Sequence, residues 1–343
     1  MDACATEAFL RAKGGQRLET TNIAVIGVGY WGKKVAFEYE RLGKESQEVR
    51  LAGACDVLEQ NLKYCKDNYG LLEATNEVED ILCDPEIDAV HVCTPSETHY
   101  KIAKSALEAG KHVLVEKPLT LNFDEARELV DLAHSRNLIL SVGHIFRFDA
   151  ALAKVKDLLM NGYFGELFWL KFQWTAFMPL MEGRDIITDL APHPFDILNF
   201  ITGQWPLRIT CVAKSHRKGQ AEEDAQIVAE LRNNVTANME LSWLHPEKIR
   251  QVSIMGSERF VRVDCLSQTI QGFKGGIFYK IPVERSNTIK SELFHFVESI
   301  RNANSSGPDR FNINNGGIGA KVVRLLEITR QAMINGRTES VEL

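Results

Sequence analysis

Two short segments carry residue types at spacings that could move a proton. The first is Glu116-Lys117-Pro118, which follows the apolar run His112-Val-Leu-Val115. Open α/β sheets bind ligands outside the carboxyl ends of their strands, so a lysine held there by a proline turn can face a bound ligand. A plain surface lysine in a loop is the other reading, since lysines are mostly exposed. The second segment is Asp189-Leu-Ala-Pro192-His193-Pro194-Phe-Asp196. Prolines 192 and 194 fit together in a helix's first turn, where N–H groups lack intrahelical partners. That places Asp189 at or just before a helix start, with His193 at i+4 and Asp196 at i+7 on one face. A carboxylate beside a histidine fixes its tautomer and supports its cationic form, as a general base requires. A capping aspartate and a packed histidine are the alternative. A lysine near pKa 10.4 must fall by about 3 pH units to act as a base at neutrality, whereas a histidine near 6.5 needs almost no tuning. Of the two, His193 is therefore better suited to act as a base, with Asp189 able to orient it. Arg147, in Gly143-His-Ile-Phe-Arg147-Phe, reads as an anion contact or a surface ion-pair partner. Lys248 and Arg250 are further cations. His99 reads as a packing or ligand-edge residue.

These residues need a scaffold, and it begins at Ile23-Ala-Val-Ile26, an apolar run of the kind buried on both faces of a parallel sheet. Gly27-Val28-Gly29-Tyr30-Trp31-Gly32 follows with the spacing G-x-G-x-x-G. There the first glycine permits a tight turn, the second lets backbone approach a pyrophosphate, and the third lets helix pack on strand. A second strand over Val49–Cys55 ends in Asp56, suited to the ribose hydroxyls of a dinucleotide. A cap for the next helix is the alternative. That carboxylate would repel a 2′-phosphate, so NAD is expected rather than NADP. Further along, a helix over 57–70 stops at Gly70, and a strand ends at Thr94-Pro95. Ser96 is expected to cap the helix that follows, Lys111–Val115 is a strand, and Asn122 with Glu125 starts a helix of period 3.6. A strand at 138–143 closes a doubly wound parallel sheet.

After residue 143 the pattern changes to period two. Val235, Ala237, Met239, Leu241 and Trp243 alternate with polar residues, and Asn233-Asn234 reads as a hairpin turn. With strands expected at 166–176, 207–216, 224–232, 248–255, 259–265 and 276–283, and helices at 150–161, 289–302 and 316–335, the second half reads as an α+β domain on an open, mainly antiparallel sheet. The expected division is a tail over 1–20, a nucleotide-binding domain over 21–143 and a substrate and oligomerisation domain over 144–343.

Composition excludes several classes. The chain is 45% hydrophobic and 25% charged, with a net charge of −6 and no dense basic block. Nucleic-acid and anionic-membrane binding are therefore not expected. The seven cysteines are scattered without a C-x-x-C pair, which reads as a reducing compartment with no disulfide framework and no metal site. No apolar run approaches a membrane span, and residues 1–20 lack the apolar centre of a signal peptide. A cytoplasmic protein is the expectation.

From residue 21 to 343 the chain resembles Gfo/Idh/MocA-type oxidoreductases. The marks are GVGYWG, the strand-end Asp56, IDAVHVCTPSETH, AGKHVLVEKPL and the Asp189/His193 helix. The resemblance implies a Rossmann domain and a sheet-rich second domain. It implies NAD held by Gly27, Val28, Gly29, Tyr30, Trp31, Gly32, Asp56, Thr94, Pro95, Ser96, His99, Glu116 and Lys117. It also puts Lys117, Asp189 and His193 at the reacting carbon, with Arg147 and Asp196 as substrate contacts. VGHIFRF, ITDLAPHPFDIL and SWLHPEKIR are similar to members acting on nucleotide sugars such as UDP-N-acetylglucosamine. A homodimer or homotetramer acting on a small sugar or nucleotide sugar is implied. An inositol or free-sugar dehydrogenase is the nearest alternative, and a non-catalytic NAD-sensing protein is a further one. The joint presence of Lys117 and His193 argues against the latter.

Overall fold

The computed structural model describes residues 20–71, 73–179, 184–218, 221–307 and 309–343, and it divides into two compact units. The expected tail lies outside the described residues except for Thr20, as do residues 180–183 of the segment before the Asp189 helix. Of the described residues, the first unit comprises those from 20 to 144 together with those from 289 to 320. Its strands are β1 (Thr21–Ile26), β2 (Val49–Cys55), β3 (Glu73–Thr75), β4 (Ala89–Val92), β5 (His112–Val115) and β6 (Leu140–Val142). They form one sheet in the order β3-β2-β1-β4-β5-β6, with every pairing parallel. Ile23, Ala24, Val25 and Ile26 are at most 1% exposed, as a strand covered on both faces requires. The order reverses between β1 and β4, which creates the crevice where such sheets bind ligands.

The helices of this unit are α1 (Tyr30–Ser46), α2 (Glu59–Tyr69), α3 (Val78–Cys83), α4 (His99–Glu108) and α5 (Phe123–Ser135). Helix α1 buries Val35, Ala36, Tyr39 and Leu42 on the side facing the sheet. Gly70 ends α2 in the left-handed region. Asn122 caps α5, its side chain accepting from the Glu125 N–H at 3.1 Å. Ser96, by contrast, caps nothing. It lies in a short 3₁₀ turn, Ser96–Thr98, and α4 starts only at His99 with no side-chain cap.

The second unit comprises residues 145–288 and 321–343. It contains α6 (Ala150–Met160), β7 (Leu167–Phe177), α7 (Ile186–Leu190), α8 (Pro192–Thr202), β8 (Arg208–Lys214), β9 (Asp224–Glu230), β10 (Thr236–Ser242), β11 (Leu244–Gly256), β12 (Phe260–Asp264), β13 (Thr269–Lys274), β14 (Ile277–Ile281) and the short β15 (Glu339–Ser340). Their sheet runs β14-β13-β12-β11-β7-β10-β9-β8-β15. All neighbours are antiparallel except β7 and β10. The Asn233-Asn234 turn forms with both residues at positive φ, 59° and 58°, and joins β9 to β10. Ala237, Met239 and Leu241 point inward and join one core cluster with Phe172, Trp174, Phe195 and Leu198.

The division departs from the expected boundary at α9 (Thr288–Ser306), which belongs, from Ile289 on, to the first unit. Its Leu293, Phe296, Val297 and Ile300 join the cluster built on Val25, Val35 and Leu51. The segment after it is fixed to β6: the Asn312 amide donates to Leu140 O at 3.1 Å and the Asn314 amide to Val142 O at 2.7 Å. The remaining helix, α10, spans Gly316–Asn335. Among the described residues no helix is long and apolar enough to cross a membrane, and six cysteines are free thiols. Burial lifts the Cys55 thiol to about 11, so it packs as a small apolar group.

Candidate active site

In the first unit the glycine-rich turn joins β1 to α1, and each glycine meets a different constraint. Gly27 has φ 91°, and a Cβ there would lie 2.8 Å from backbone atoms of Cys93 and Thr94. A Cβ on Gly32 would lie 1.9 Å from Gly27 O, so helix and turn pack too closely for any side chain. Gly29 is the N-cap of α1 at φ −71°, and a Cβ there would meet nothing within 4 Å. The protein itself does not require glycine at 29. The open space beside the N-terminus of α1 is where a pyrophosphate fits.

Asp56 follows β2 and is buried, with Oδ1 accepting from the Leu58 N–H at 2.9 Å. That bond closes a turn and is no helix cap, because the N-cap of α2 is Leu58. Thr94 and Pro95 follow β4, tied to the 3₁₀ turn by the Thr98 hydroxyl, which donates to Pro95 O and lies against Thr94 Oγ1, both at 2.7 Å. His99 is 1% exposed, and its two ring nitrogens lie 2.8 Å from Pro118 O and 2.9 Å from Thr94 O. It bridges the turns after β4 and β5. Burial pushes its pKa below the ordinary histidine value, and the two carbonyls oppose that push. Glu116 and Lys117 sit at the carboxyl end of β5. The Glu116 carboxylate turns inward, accepting from Trp31 Nε1 at 2.5 Å and lying 3.3 Å from His91 Nε2.

In the second unit Asp189 belongs to α7, not to the start of α8. The residue that caps this turn is Asp185, which accepts from the Thr188 N–H at 2.8 Å. Ala191 keeps helical angles between α7 and α8, and the bonds Ala191 N–H to Ile187 O and Phe195 N–H to Ala191 O continue the ladder. Asp189 and His193 are therefore on successive turns of one face. The His193 ring meets Phe146 edge-on, with centroids 5.1 Å apart, and Phe146 in turn meets Trp174 at 5.3 Å. Arg250 donates to Thr175 O and Ile249 O, both at 2.8 Å. Burial lowers its pKa, and the nearby Asp189 carboxylate opposes the fall.

Arg147 and Asp196, expected as substrate contacts, are brought together as a buried ion pair. Arg147 Nε donates to Asp196 Oδ1 at 2.6 Å, and the two side chains are 5% and 2% exposed. Arg147 Nη2 adds a bond to Asn199 Oδ1 at 2.9 Å. The pair ties the turn before α6 to the middle of α8. Asp196 follows His193 by three residues, one turn deeper into the core, which local spacing does not distinguish from a site position. Local spacing gives no sign of the Trp31–Glu116 contact, 85 residues apart, or of its extension to His91. The one local mark is His91 itself, the polar residue in the otherwise apolar strand Ala89-Val-His-Val92.

A family profile described as "Oxidoreductase family, NAD-binding Rossmann fold" matches residues 21–144, and one described as "GFO/IDH/MocA C-terminal domain" matches residues 152–262. The UDP-N-acetylglucosamine 3-dehydrogenase of Acidithiobacillus ferrooxidans is 32% identical over 255 residues, covering 74% of this chain and 76% of that one. The chain belongs to the Gfo/Idh/MocA family of oxidoreductases. The crystal structure of the same A. ferrooxidans enzyme aligns with a TM-score of 0.79 at 28% identity, over 92% of this chain and 98% of that one. The myo-inositol 2-dehydrogenase of Thermotoga maritima is 30% identical over 53% of this chain and 55% of that one. An aldose-aldose oxidoreductase from Caulobacter crescentus shares the fold, with a TM-score of 0.84 at 21% identity over 94% of this chain and all of that one. This Gfo/Idh/MocA member thus carries an NAD-binding Rossmann domain, and the open space at Gly29 fits the pyrophosphate of that cofactor.

Proposed function

We propose that this enzyme oxidises a ring hydroxyl of a nucleotide sugar to a ketone with NAD as hydride acceptor, C3 of UDP-N-acetylglucosamine being the first candidate. The observation that carries the reading is the Asp189–His193 pair on successive helical turns, backed by Arg250. The relationship to the A. ferrooxidans dehydrogenase across both domains selects the substrate class. In this reading bound NAD supplies the hydride acceptor. His193 takes the hydroxyl proton and Asp189 orients the imidazole and contacts the sugar, with Lys117 also required for the reaction, as family membership implies. With Arg147 committed to Asp196 and Arg250 held beside Asp189, Lys248 is the expected cation that remains for a diphosphate. Binding energy from the remote nucleotide then holds the sugar in place.

We also take the chain to form a homodimer or homotetramer through its nine-stranded sheet. Val212 and Val228 are 58% and 39% exposed on strands whose opposite face is buried. Sedimentation at micromolar concentration tests this, and a monomer refutes it.

The catalytic assignment is tested by pH–rate profiles of His193→Ala and Lys117→Ala. Each variant loses kcat steeply while NAD affinity changes little in His193→Ala, and the acidic limb disappears in His193→Ala alone. An acidic limb that persists in His193→Ala and vanishes in Lys117→Ala makes Lys117 the base.

A further inference from the structure

The first unit holds a partly buried polar cluster that the proposed chemistry leaves unused. Strand alternation puts His91 and Cys93, at the end of β4, and Glu116, after β5, on the sheet face covered by α1. Their ligating atoms lie within 4.8 Å of one another, a spacing that could hold a metal ion. The donors are otherwise engaged. Glu116 Oε1 accepts from Trp31 Nε1, the His91 Nε2 edge faces the same oxygen, and the Tyr39 hydroxyl lies 3.4 Å from His91 Nδ1. Burial holds the Cys93 thiol well above its ordinary pKa, so it stays protonated. The arrangement is a hydrogen-bonded carboxylate, with Trp31 on the nucleotide-binding turn at one end and Lys117 adjacent in sequence at the other. The second carboxylate oxygen is pressed on Gly143, where an added Cβ would lie 2.7 Å from it.

We propose that Glu116 is a positioning residue whose half-buried carboxylate ties the nucleotide-binding turn to the strand end carrying Lys117 and favours the oxidised, cationic form of the cofactor over the reduced form. A fixed carboxylate at the carboxyl end of β5 attracts a positive nicotinamide and has no such attraction for the neutral reduced ring. The groups facing it are His91 and Cys93 from β4, Trp31 and Tyr39 from α1, and Lys117 from its own segment, with Glu292 of α9 acting on Tyr39 and Cys93. The donors from Trp31 and His91 outweigh burial and hold Glu116 below the usual carboxylate pKa, so it carries its charge at neutrality.

The inference rests on the NAD site and not on the identity of the sugar, so it is tested by cofactor binding without sugar. Calorimetry on Glu116→Gln, which keeps shape and an acceptor for Trp31, should show NAD⁺ affinity falling about tenfold while NADH affinity changes less than about twofold. An equal loss for both forms would make Glu116 purely structural and overturn the proposal, as would no loss for either. Trp31→Phe is the second variant. It removes one donor to the carboxylate, so the ratio of NAD⁺ to NADH affinity should fall as pH is lowered from 8 to about 5, where that of the parent stays flatter. A ratio with the parent's pH dependence refutes the charge assignment. Zinc found at one equivalent in the purified protein, and lost in Cys93→Ser, would replace the hydrogen-bonded reading with a metal site.

Discussion

Gly29→Ala separates what the fold needs from what the cofactor needs. The first and third glycines of the turn are demanded by the protein. At Gly27 the backbone has positive φ, and at Gly32 a Cβ would overlap the Gly27 carbonyl at 1.9 Å. Nothing in the chain lies within 4 Å of a Cβ at position 29, and its φ of −71° is ordinary for an L-residue. Alanine there should therefore fold, with a loss below about 1 kcal/mol from the poorer N-cap. The new methyl group instead occupies the space assigned to the pyrophosphate. Forcing an extra methyl into a close contact costs about 1–3 kcal/mol, which is roughly five- to 150-fold in Kd. The assay is NAD calorimetry beside thermal melting of Gly29→Ala, with Gly32→Ala as a control that should fail to fold or melt far lower. A Gly29→Ala protein that binds NAD as tightly as the parent would show that the pyrophosphate does not approach this turn, and the argument from the open space would fail.

Two further outcomes test the second unit. Arg147→Met strands the Asp196 carboxylate in the core, so urea unfolding should show a loss of about 3–5 kcal/mol, and Arg147→Met/Asp196→Leu should recover much of it; a near-neutral single variant would return Arg147 to the list of ligand contacts. Asp149 caps α6 through the Ala151 and Leu152 N–H groups, yet burial lifts its pKa to about 6. A carboxyl group raised above its unfolded value of about 3.9 stabilises the fold fully below that value, and the contribution disappears as pH rises through about 6. Asp149→Asn, which can still cap, should remove this pH dependence and gain about 1–2 kcal/mol at pH 7. Parallel stability–pH curves for the two proteins between pH 4 and 7 would refute the shift.

Where structure depends on neighbours in sequence, the chain was readable. The apolar run Ile23–Ile26, the glycine spacing, the Asn122 cap and the two asparagines at positive φ all act within a few residues of themselves. So does the one-turn separation of Asp189 and His193, although its exact element was misplaced because Asp185, four residues earlier, supplies the cap. Contacts across long separations were not readable. The return of α9 to the first sheet depends on an apolar face of Leu293, Phe296 and Ile300 that would suit either unit. Arg147 and Asp196 lie 49 residues apart, and each alone resembles a site residue. The inward turn of Glu116 depends on Trp31, 85 residues away. The parallel pairing of β7 with β10 inside a largely antiparallel sheet likewise leaves no mark on alternation, which records a strand's faces and not its direction.

The central claim is tested most directly by incubating the purified protein with NAD⁺ and a panel of UDP-sugars, free sugars and inositols. NADH is followed by absorbance and the carbohydrate by mass spectrometry. The account predicts NADH and a keto sugar forming together, with UDP-N-acetylglucosamine or a close UDP-sugar far ahead of every free sugar. Turnover of myo-inositol or a free hexose as efficient as that of any UDP-sugar would contradict it.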